Sequence, residues 1–318
     1  MNRLLVTFSV CFSTFLGALL LSNSAHAMKI TVSLPPLAGI IAPLLGEDDS
    51  IEVILKSGRS PHAFHLKPSH LRMLEKSDIA VTAGFGVDAW LDKALNTYKG
   101  THINMADIST MRLYSVRKGG VWESVAPHKH TEVDSLDSGI DPHLWTAASN
   151  ALELVIAVSD EMIRLAPEQK EVISERRDSW LARIKRVDHE VFMALNPVNR
   201  TPYIVLHDAF QYFEKRYMMT SAGSISLNPE QTPSLKRVFA LRERIEKSNI
   251  RCVFKEPQFS SKRVQPVVED LNVRIGELDP MGTTYSDERS GPGYVLYDVF
   301  LKRNAMQFVG CLTIDKVL

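Results

Sequence analysis

Nine histidines remain once the first 27 residues are set aside, and three of them sit where a fold delivers ligands. His62, in Ser60-Pro61-His62, follows a predicted strand at a turn before a helix. His143, in Gly139-Ile140-Asp141-Pro142-His143-Leu144-Trp145, lies just ahead of another helix. His207 closes the apolar run Ile204-Val205-Leu206-His207. Positions at the carboxyl ends of strands and the amino ends of helices line the ligand crevice of doubly wound sheets. The three are far apart in sequence, with no compact motif such as HExxH, so a site built from them has to be assembled in three dimensions. A lone histidine is more often a surface or satisfied core residue than a ligand. Three neutral imidazoles meeting at one point, with a carboxylate or water as fourth ligand, suit tetrahedral Zn²⁺ at roughly 2.0–2.1 Å. Asp279, in Glu277-Leu278-Asp279-Pro280, follows the last predicted strand and is the expected carboxylate. Competition with protons should then weaken the metal as pH falls through roughly 6.5, the free imidazole value.

The elements that must position these residues alternate short β-rich runs with helical patterns, the signature of βα units around a parallel sheet. In the first half, strands are expected at 29–34, 51–55, 79–83 and 102–105, with helices at 36–45, 69–76 and 87–97. In the second half, strands are expected at 203–207, 219–222, 252–255 and 273–277, with helices at 210–217, 232–248, 261–270 and within 293–306. Thr232-Pro233 is read as the start of the helix at 232. Between the halves, Pro167–Leu195 reads as one helix: Ile173, Trp180, Ile184, Val187, Val191 and Leu195 form a stripe at spacings of mostly three and four. It is too short, and too broken by Arg177 and Arg183, for a coiled-coil seam. At about 1.5 Å per residue it spans on the order of 43 Å and braces both halves. The expected fold is therefore α/β, with two lobes, each a mostly parallel four-stranded sheet flanked by helices, joined by one long rigid helix. The boundaries are 28–165 for the first lobe, with a mobile loop at 106–140, then 166–196 for the linking helix and 197–318 for the second lobe.

The leader reads as a secretory signal. Arg3 precedes the apolar Leu4–Leu21, and Ala25-His26-Ala27 places small residues where a signal peptidase cuts, so cleavage is expected after Ala27 and the mature chain is expected in the periplasm. The run is close to the shortest that spans a bilayer and is interrupted by Thr7, Ser9, Ser13 and Thr14, which disfavours an anchor. Cleavage leaves 291 residues, enough for two domains. Lys plus Arg balance Asp plus Glu at 37 each, which offers nothing to nucleic acid or an anionic membrane. Of three cysteines, Cys252 and Cys311 remain after processing. An even pair in an exported chain points to a disulfide, worth about 4 kcal/mol on a chain-entropy model, with two buried thiols as the alternative.

Five segments together carry a specific resemblance. Pro61-His62-Ala63-Phe64-His65-Leu66-Lys67-Pro68-Ser69, Asp141-Pro142-His143-Leu144-Trp145, His207-Asp208-Ala209-Phe210-Gln211-Tyr212-Phe213, Glu256-Pro257-Gln258-Phe259 and Leu278-Asp279-Pro280-Met281-Gly282 closely resemble the cluster A-I substrate-binding proteins of bacterial zinc ABC importers. The resemblance runs through nearly all of the mature chain. It implies that His62, His143 and His207 are the zinc ligands, with Asp279 the nearby carboxylate. It also implies that Zn²⁺ is cargo and that the loaded protein, acting as a monomer, docks on an inner-membrane permease. Manganese and iron importers of the same family typically carry glutamate at the position of His207; a third imidazole is softer and moves preference towards Zn²⁺. Two departures stand out. The loop that in zinc importers is long and rich in histidine has shrunk here to His128 and His130 with a few acids, which makes a weak second metal site or a plain solvated loop. His65, three residues after His62, is a histidine the family usually lacks. No P-loop is present, and no nucleophile elbow or HExxH supports the rival reading as a zinc hydrolase. Some relatives are associated with attachment to surfaces, which leaves an adhesin as a third reading.

Overall fold

The computed structural model describes residues 27–56, 58–118, 122, 139–226, 229–230, 232–285 and 287–313. The apolar leader and its cleavage box through His26, and the loop bearing His128 and His130, lie outside the described residues.

The short apolar runs at the centre of each sheet become strands buried on both faces, as expected where helices cover a parallel sheet on each side, while the edge strands at 50–53, 101–104 and 274–277 are more polar and partly exposed. The first sheet contains β1 (Lys29–Val32), β2 (Ser50–Val53), β3 (Ile79–Thr82) and β4 (Thr101–Asn104) in the order β2-β1-β3-β4, every pair parallel. Helices α1 (Pro35–Ile41), α2 (Pro68–Glu75) and α3 (Asp92–Leu95) connect its successive strands along the chain. The expected helix at 87–97 is instead a 3₁₀ turn, Ala89–Leu91, followed by the single turn α3. Two long helices come next, α4 (Ala148–Leu165) and α5 (Lys170–Leu195), the latter prefaced by a 3₁₀ turn at Pro167–Gln169. The second sheet contains β5 (Tyr203–His207), β6 (Ser221–Ser226), β7 (Cys252–Lys255) and β8 (Arg274–Glu277) in the equivalent order β6-β5-β7-β8, again wholly parallel. Its helices are α6 (Gln211–Tyr217), α7 (Leu235–Lys247), α8 (Gln265–Val268) and α9 (Tyr297–Leu312).

Three differences from the sequence reading have local causes. Helix α7 starts three residues later than expected, because Ser234 rather than Thr232 is the cap: its Oγ accepts from the Arg237 backbone N–H at 3.2 Å. The segment 261–270 breaks into a 3₁₀ turn at Ser261–Arg263 and the single turn α8, with Pro266 unable to donate a backbone bond. Helix α9 runs six residues past the expected end, which brings Cys311 to Cys252 at a Cα separation of 6.0 Å, and the two are bonded.

The stripe Ile173, Trp180, Ile184, Val187, Val191 and Leu195 is the buried face of α5. It packs against α4 and α9, and Trp180 Nε1 donates to the Ile40 carbonyl of α1 at 2.7 Å. One apolar core therefore runs without interruption from Ile30 and Val81 of the first sheet, through Val155 and Ile184, to Phe254 and Phe308 behind the second. Smaller clusters cover the outer faces of the two sheets. Among the described residues no helix is long and apolar enough to cross a membrane.

Candidate metal centre

The strand order decides which chain segments meet. In the second sheet the central pair β5 and β7 forms the switch point, and both carboxyl ends open on the ligand side. His207 is the last residue of β5, and Glu256 follows β7 directly. His62 lies in a 3₁₀ turn, Pro61–Ala63, capped by Ser60 Oγ, which accepts from the His62 backbone N–H at 3.2 Å. His143 immediately precedes the 3₁₀ turn Leu144–Thr146 that leads into α4.

The three histidines converge, and each offers a ring nitrogen within 4.8 Å of the others. Nε2 of His143 and Nε2 of His207 are 3.3 Å apart. Two nitrogens bound to one Zn²⁺ at tetrahedral angles lie about 3.3–3.4 Å apart, given Zn–N near 2.0–2.1 Å. Nε2 of His62 is buried and has no hydrogen-bond partner, as expected of a donor atom whose partner is an ion.

The opposite ring nitrogens are committed to carboxylates. Nδ1 of His143 lies 2.8 Å from Asp141 Oδ1, which also accepts the His143 backbone N–H at 3.0 Å. Asp141 is itself fixed, since its Oδ2 accepts from Gln211 Nε2 at 2.9 Å and its carbonyl accepts from Tyr212 Oη at 2.8 Å. Nδ1 of His207 lies 2.6 Å from Glu256 Oε1. With Nδ1–H donated to a carboxylate, Nε2 is left as the free lone pair and becomes more basic, the usual arrangement behind metal-bound histidines. Burial, with the adjacent His207 and His143 adding to it, lowers the His62 imidazole to about 3. Burial, then His143, holds His207 well below the ordinary value. Both rings are thus kept neutral, the form that binds metal.

The fourth expected ligand does not join them. Asp279 is wholly buried, and its carboxylate is filled by the turn that follows β8. Oδ1 accepts from Gln258 Nε2 at 2.6 Å, Met281 N at 3.0 Å and Gly282 N at 2.9 Å; Oδ2 accepts from Thr284 N and Oγ1, both at 2.8 Å. Five donors exhaust the roughly four lone-pair directions of a carboxylate. Asp279 instead shapes the wall of the site: Pro280, held in that turn, accepts from Trp145 Nε1 at 2.8 Å and so ties the segment before α4 to the segment after β8. His65 is exposed and stands outside the cluster. His70 caps α2, its Nδ1 accepting from Lys67 N at 3.1 Å, and His102 bonds Thr82 Oγ1 at 2.8 Å.

Glu256, Asp141 and Gln211 act on the site, yet sequence reasoning gave them no role. Asp141 had a local signal, two residues before His143 across a proline. Glu256 and Gln211 had none that periodicity carries.

Next to the triad, on the side of residues 116–118, a cavity of about 180 Å³ is bordered by His62, His143, His207, Arg117 and Asp208. Arg117 pairs there with Glu214 and lies 3.5 Å from Asp208.

Two α/β lobes enclosing buried imidazoles oriented by carboxylates define a two-lobed metal-binding protein of the substrate-binding class. The sequence matches the family described as ZnuA, zinc-uptake complex component A, periplasmic, over residues 30–311, and the chain belongs to that family. It is 29% identical over 331 residues to the high-affinity zinc uptake system protein ZnuA of Brucella suis biovar 1, covering 95% of this chain and 97% of that one. It is 26% identical to the protein of the same description from Yersinia pestis, covering 93% and 95%. In fold it is similar to the periplasmic zinc-binding protein TroA from Treponema pallidum, with a TM-score of 0.73 at 17% identity over 91% of this chain and 100% of that one. The family is one of transport components, not of enzymes, which removes the hydrolase reading.

Proposed function

We propose that this chain captures Zn²⁺ in the cleft between its lobes and hands it to an inner-membrane ABC importer. The ligands are Nε2 of His62, His143 and His207, and the ion is cargo. The observation that carries the reading is the 3.3 Å separation of two Nε2 atoms whose opposite nitrogens are both tied to buried carboxylates. Neutral imidazoles facing one another at that distance gain nothing from each other and are held there to be bridged by a cation. Two buried carboxylates behind them supply the charge that balances Zn²⁺.

The maturation reading belongs with this function: cleavage after Ala27 releases a soluble periplasmic monomer, and the permease is its partner. An imidazole at position 207, rather than glutamate, favours Zn²⁺ over Mn²⁺ or Fe²⁺. Metal analysis of protein purified without added metal tests the reading, alongside His207→Glu. The wild type should carry one zinc and lose it in His143→Ala; His207→Glu should raise the share of manganese. Equal zinc in wild type and His143→Ala would overturn it. A weak second site at His128 and His130 is tested by zinc stoichiometry after deletion of residues 120–137.

A further inference from the structure

The even charge balance of the whole chain conceals an uneven surface around the cleft. Strands β2 and β6 hold the same outermost place in their sheets, in the orders β2-β1-β3-β4 and β6-β5-β7-β8. Helices α2 and α7 follow those strands, so they are equivalents in the two lobes. Both begin on the side of the carboxyl ends, where the three histidines meet. Each helix also holds apolar side chains in water. Leu235 and Phe239 of α7, 76% and 68% exposed, are the most exposed large apolar side chains among the described residues, and Leu71 of α2 is exposed as well. Val238, Leu241 and Ile245 already anchor α7 on the outer face of the second sheet, so packing makes no use of Leu235 and Phe239.

Leu235, Phe239 and Arg242, at i, i+4 and i+7, share one face of α7. Arg242 Nη1 donates to the carbonyls of Pro266 at 3.2 Å and Glu269 at 2.6 Å, which turns that face towards the segment after β7. That segment starts from the wall of the metal centre. The Phe259 ring lies 6.2 Å from the His207 ring, and the Arg263 guanidinium sits over Phe259 at 5.5 Å. The exposed charges here have one sign. Residues 54–67, which run from β2 through His62 to α2, contain Lys56, Arg59 and Lys67, all exposed, and no acid. Lys236 and Lys262 are exposed on the second lobe. None of these basic residues forms an ion pair with a described residue.

We propose that Leu71, Leu235 and Phe239, with the basic side chains around them, form a docking surface that straddles the cleft, and that the importer permease meets it with an apolar and acidic surface. Buried apolar contacts would supply the affinity. Opposite charge supplies the speed of encounter and the choice of face. A partner seated on one lobe alone would leave the equivalent helix of the other unused. The proposal deepens the transport reading and rests on it, and the test separates the two.

The permease with its ATPase, purified from the source bacterium into nanodiscs of phosphatidylcholine, is the probe. Zinc-loaded full mature chain is titrated against it, reading bound protein and stimulated ATP hydrolysis. Wild type is compared with Phe239→Ser, Leu71→Ser and Lys236→Glu. Val172→Ser serves as control, since Val172 is exposed on the first turn of α5, where that helix passes Gly46 at the amino end of β2. Zinc affinity and melting temperature should match wild type in all of them. Phe239→Ser should raise the half-saturating concentration at least about 10-fold, the scale of an apolar anchor, and Leu71→Ser should raise it less. Lys236→Glu should slow association about 10-fold, and high salt should erase that difference while leaving the effect of Phe239→Ser. Wild-type behaviour in Phe239→Ser and Lys236→Glu would overturn the proposal. So would equal damage from Val172→Ser, which would mean that exposed apolar area counts wherever it lies. Binding of wild type to importer-free vesicles of phosphatidylcholine and phosphatidylglycerol in equal parts, lost in Lys236→Glu, would make the patch a lipid contact instead. If zinc-loaded wild type does not engage the importer at all, the transport reading falls and takes the proposal with it.

Discussion

His207 and Glu256 occupy matching register positions on neighbouring strands: the pairing of Ile204 with Val253 and Val205 with Phe254 continues to a contact of 2.6 Å between His207 Nδ1 and Glu256 Oε1. The sheet itself therefore sets the orientation of the His207 ring, the ligand proposed above. Burial pushes the Glu256 carboxyl well up when no cation is near, so this acid and a bound cation support each other's charge.

Replacing the acid by its neutral isostere should expose that dependence. Glu256→Gln is expected to fold with little loss of stability and to bind zinc about 10- to 100-fold more weakly, in the range measured for partners of metal-bound histidines. Competition against a chromophoric chelator reads the change directly. Wild-type affinity in this variant would mean that the contact does not tune the metal.

The strand-to-strand origin of that contact also explains what the sequence disclosed and what it withheld. The βα alternation was readable chiefly because the central strands, such as β3 and β5, are buried on both faces and read as continuous apolar runs, and the α5 stripe because its spacing is helical. His207 was readable as the end of such a run. Glu256 was not, because its place beside His207 depends on the order β6-β5-β7-β8, which no local pattern encodes. The setting of Asp279 was hidden for a related reason. A carboxylate after a strand resembles a ligand until the turn through Gly282, at φ +67°, folds its backbone N–H groups back onto it.

The neutral histidines make a pH prediction whose sign follows from linkage. The His62 imidazole, lowered to about 3 by burial and then by its two neighbours, takes a proton in the folded chain long after the unfolded chain has done so near 6.5. The stability it contributes is complete above about 6.5 and is lost as pH falls towards about 3. The melting temperature of the metal-free protein should therefore drop steadily over that window, and His62→Gln should flatten the slope. Proton competition at His62 is displaced to the same low range, which revises the expected weakening through 6.5: zinc affinity should persist further into mild acid than at a site of exposed imidazoles. Isothermal titration at several pH values checks it; a full titration centred on 6.5 would contradict the buried geometry.

Arg117 reaches across from the segment before α4 to Glu214 and Asp208. Burial raises the Asp208 carboxyl to about 8 even though Arg117 pulls it down. Arg117→Ala should cost about 3–5 kcal/mol, as breaking a buried pair does. Urea melts of Arg117→Ala beside Arg117→Lys, which keeps the positive charge, distinguish loss of the ion pair from simple loss of packing: the lysine variant should recover part of the stability.

The Cys252–Cys311 bond closes a loop across 59 residues of sequence separation and pins the end of α9 to β7. Reduction, or a paired change of both residues to alanine, should lower stability by up to about 4 kcal/mol. Because neither cysteine touches the triad, zinc stoichiometry should stay at one. A loss of metal on reduction would show that α9 transmits strain to the cleft.

The unbroken apolar core described above has a kinetic corollary. Prying the two sheets apart would tear α5 from α4 and α9, so the ion has no wide gate through which to depart. Its residence time is then governed by the breathing of short turns, chiefly Pro61–Ala63 and the segment after β8. Unloading becomes a task for whatever grips those turns from outside, and left alone the vessel should leak slowly.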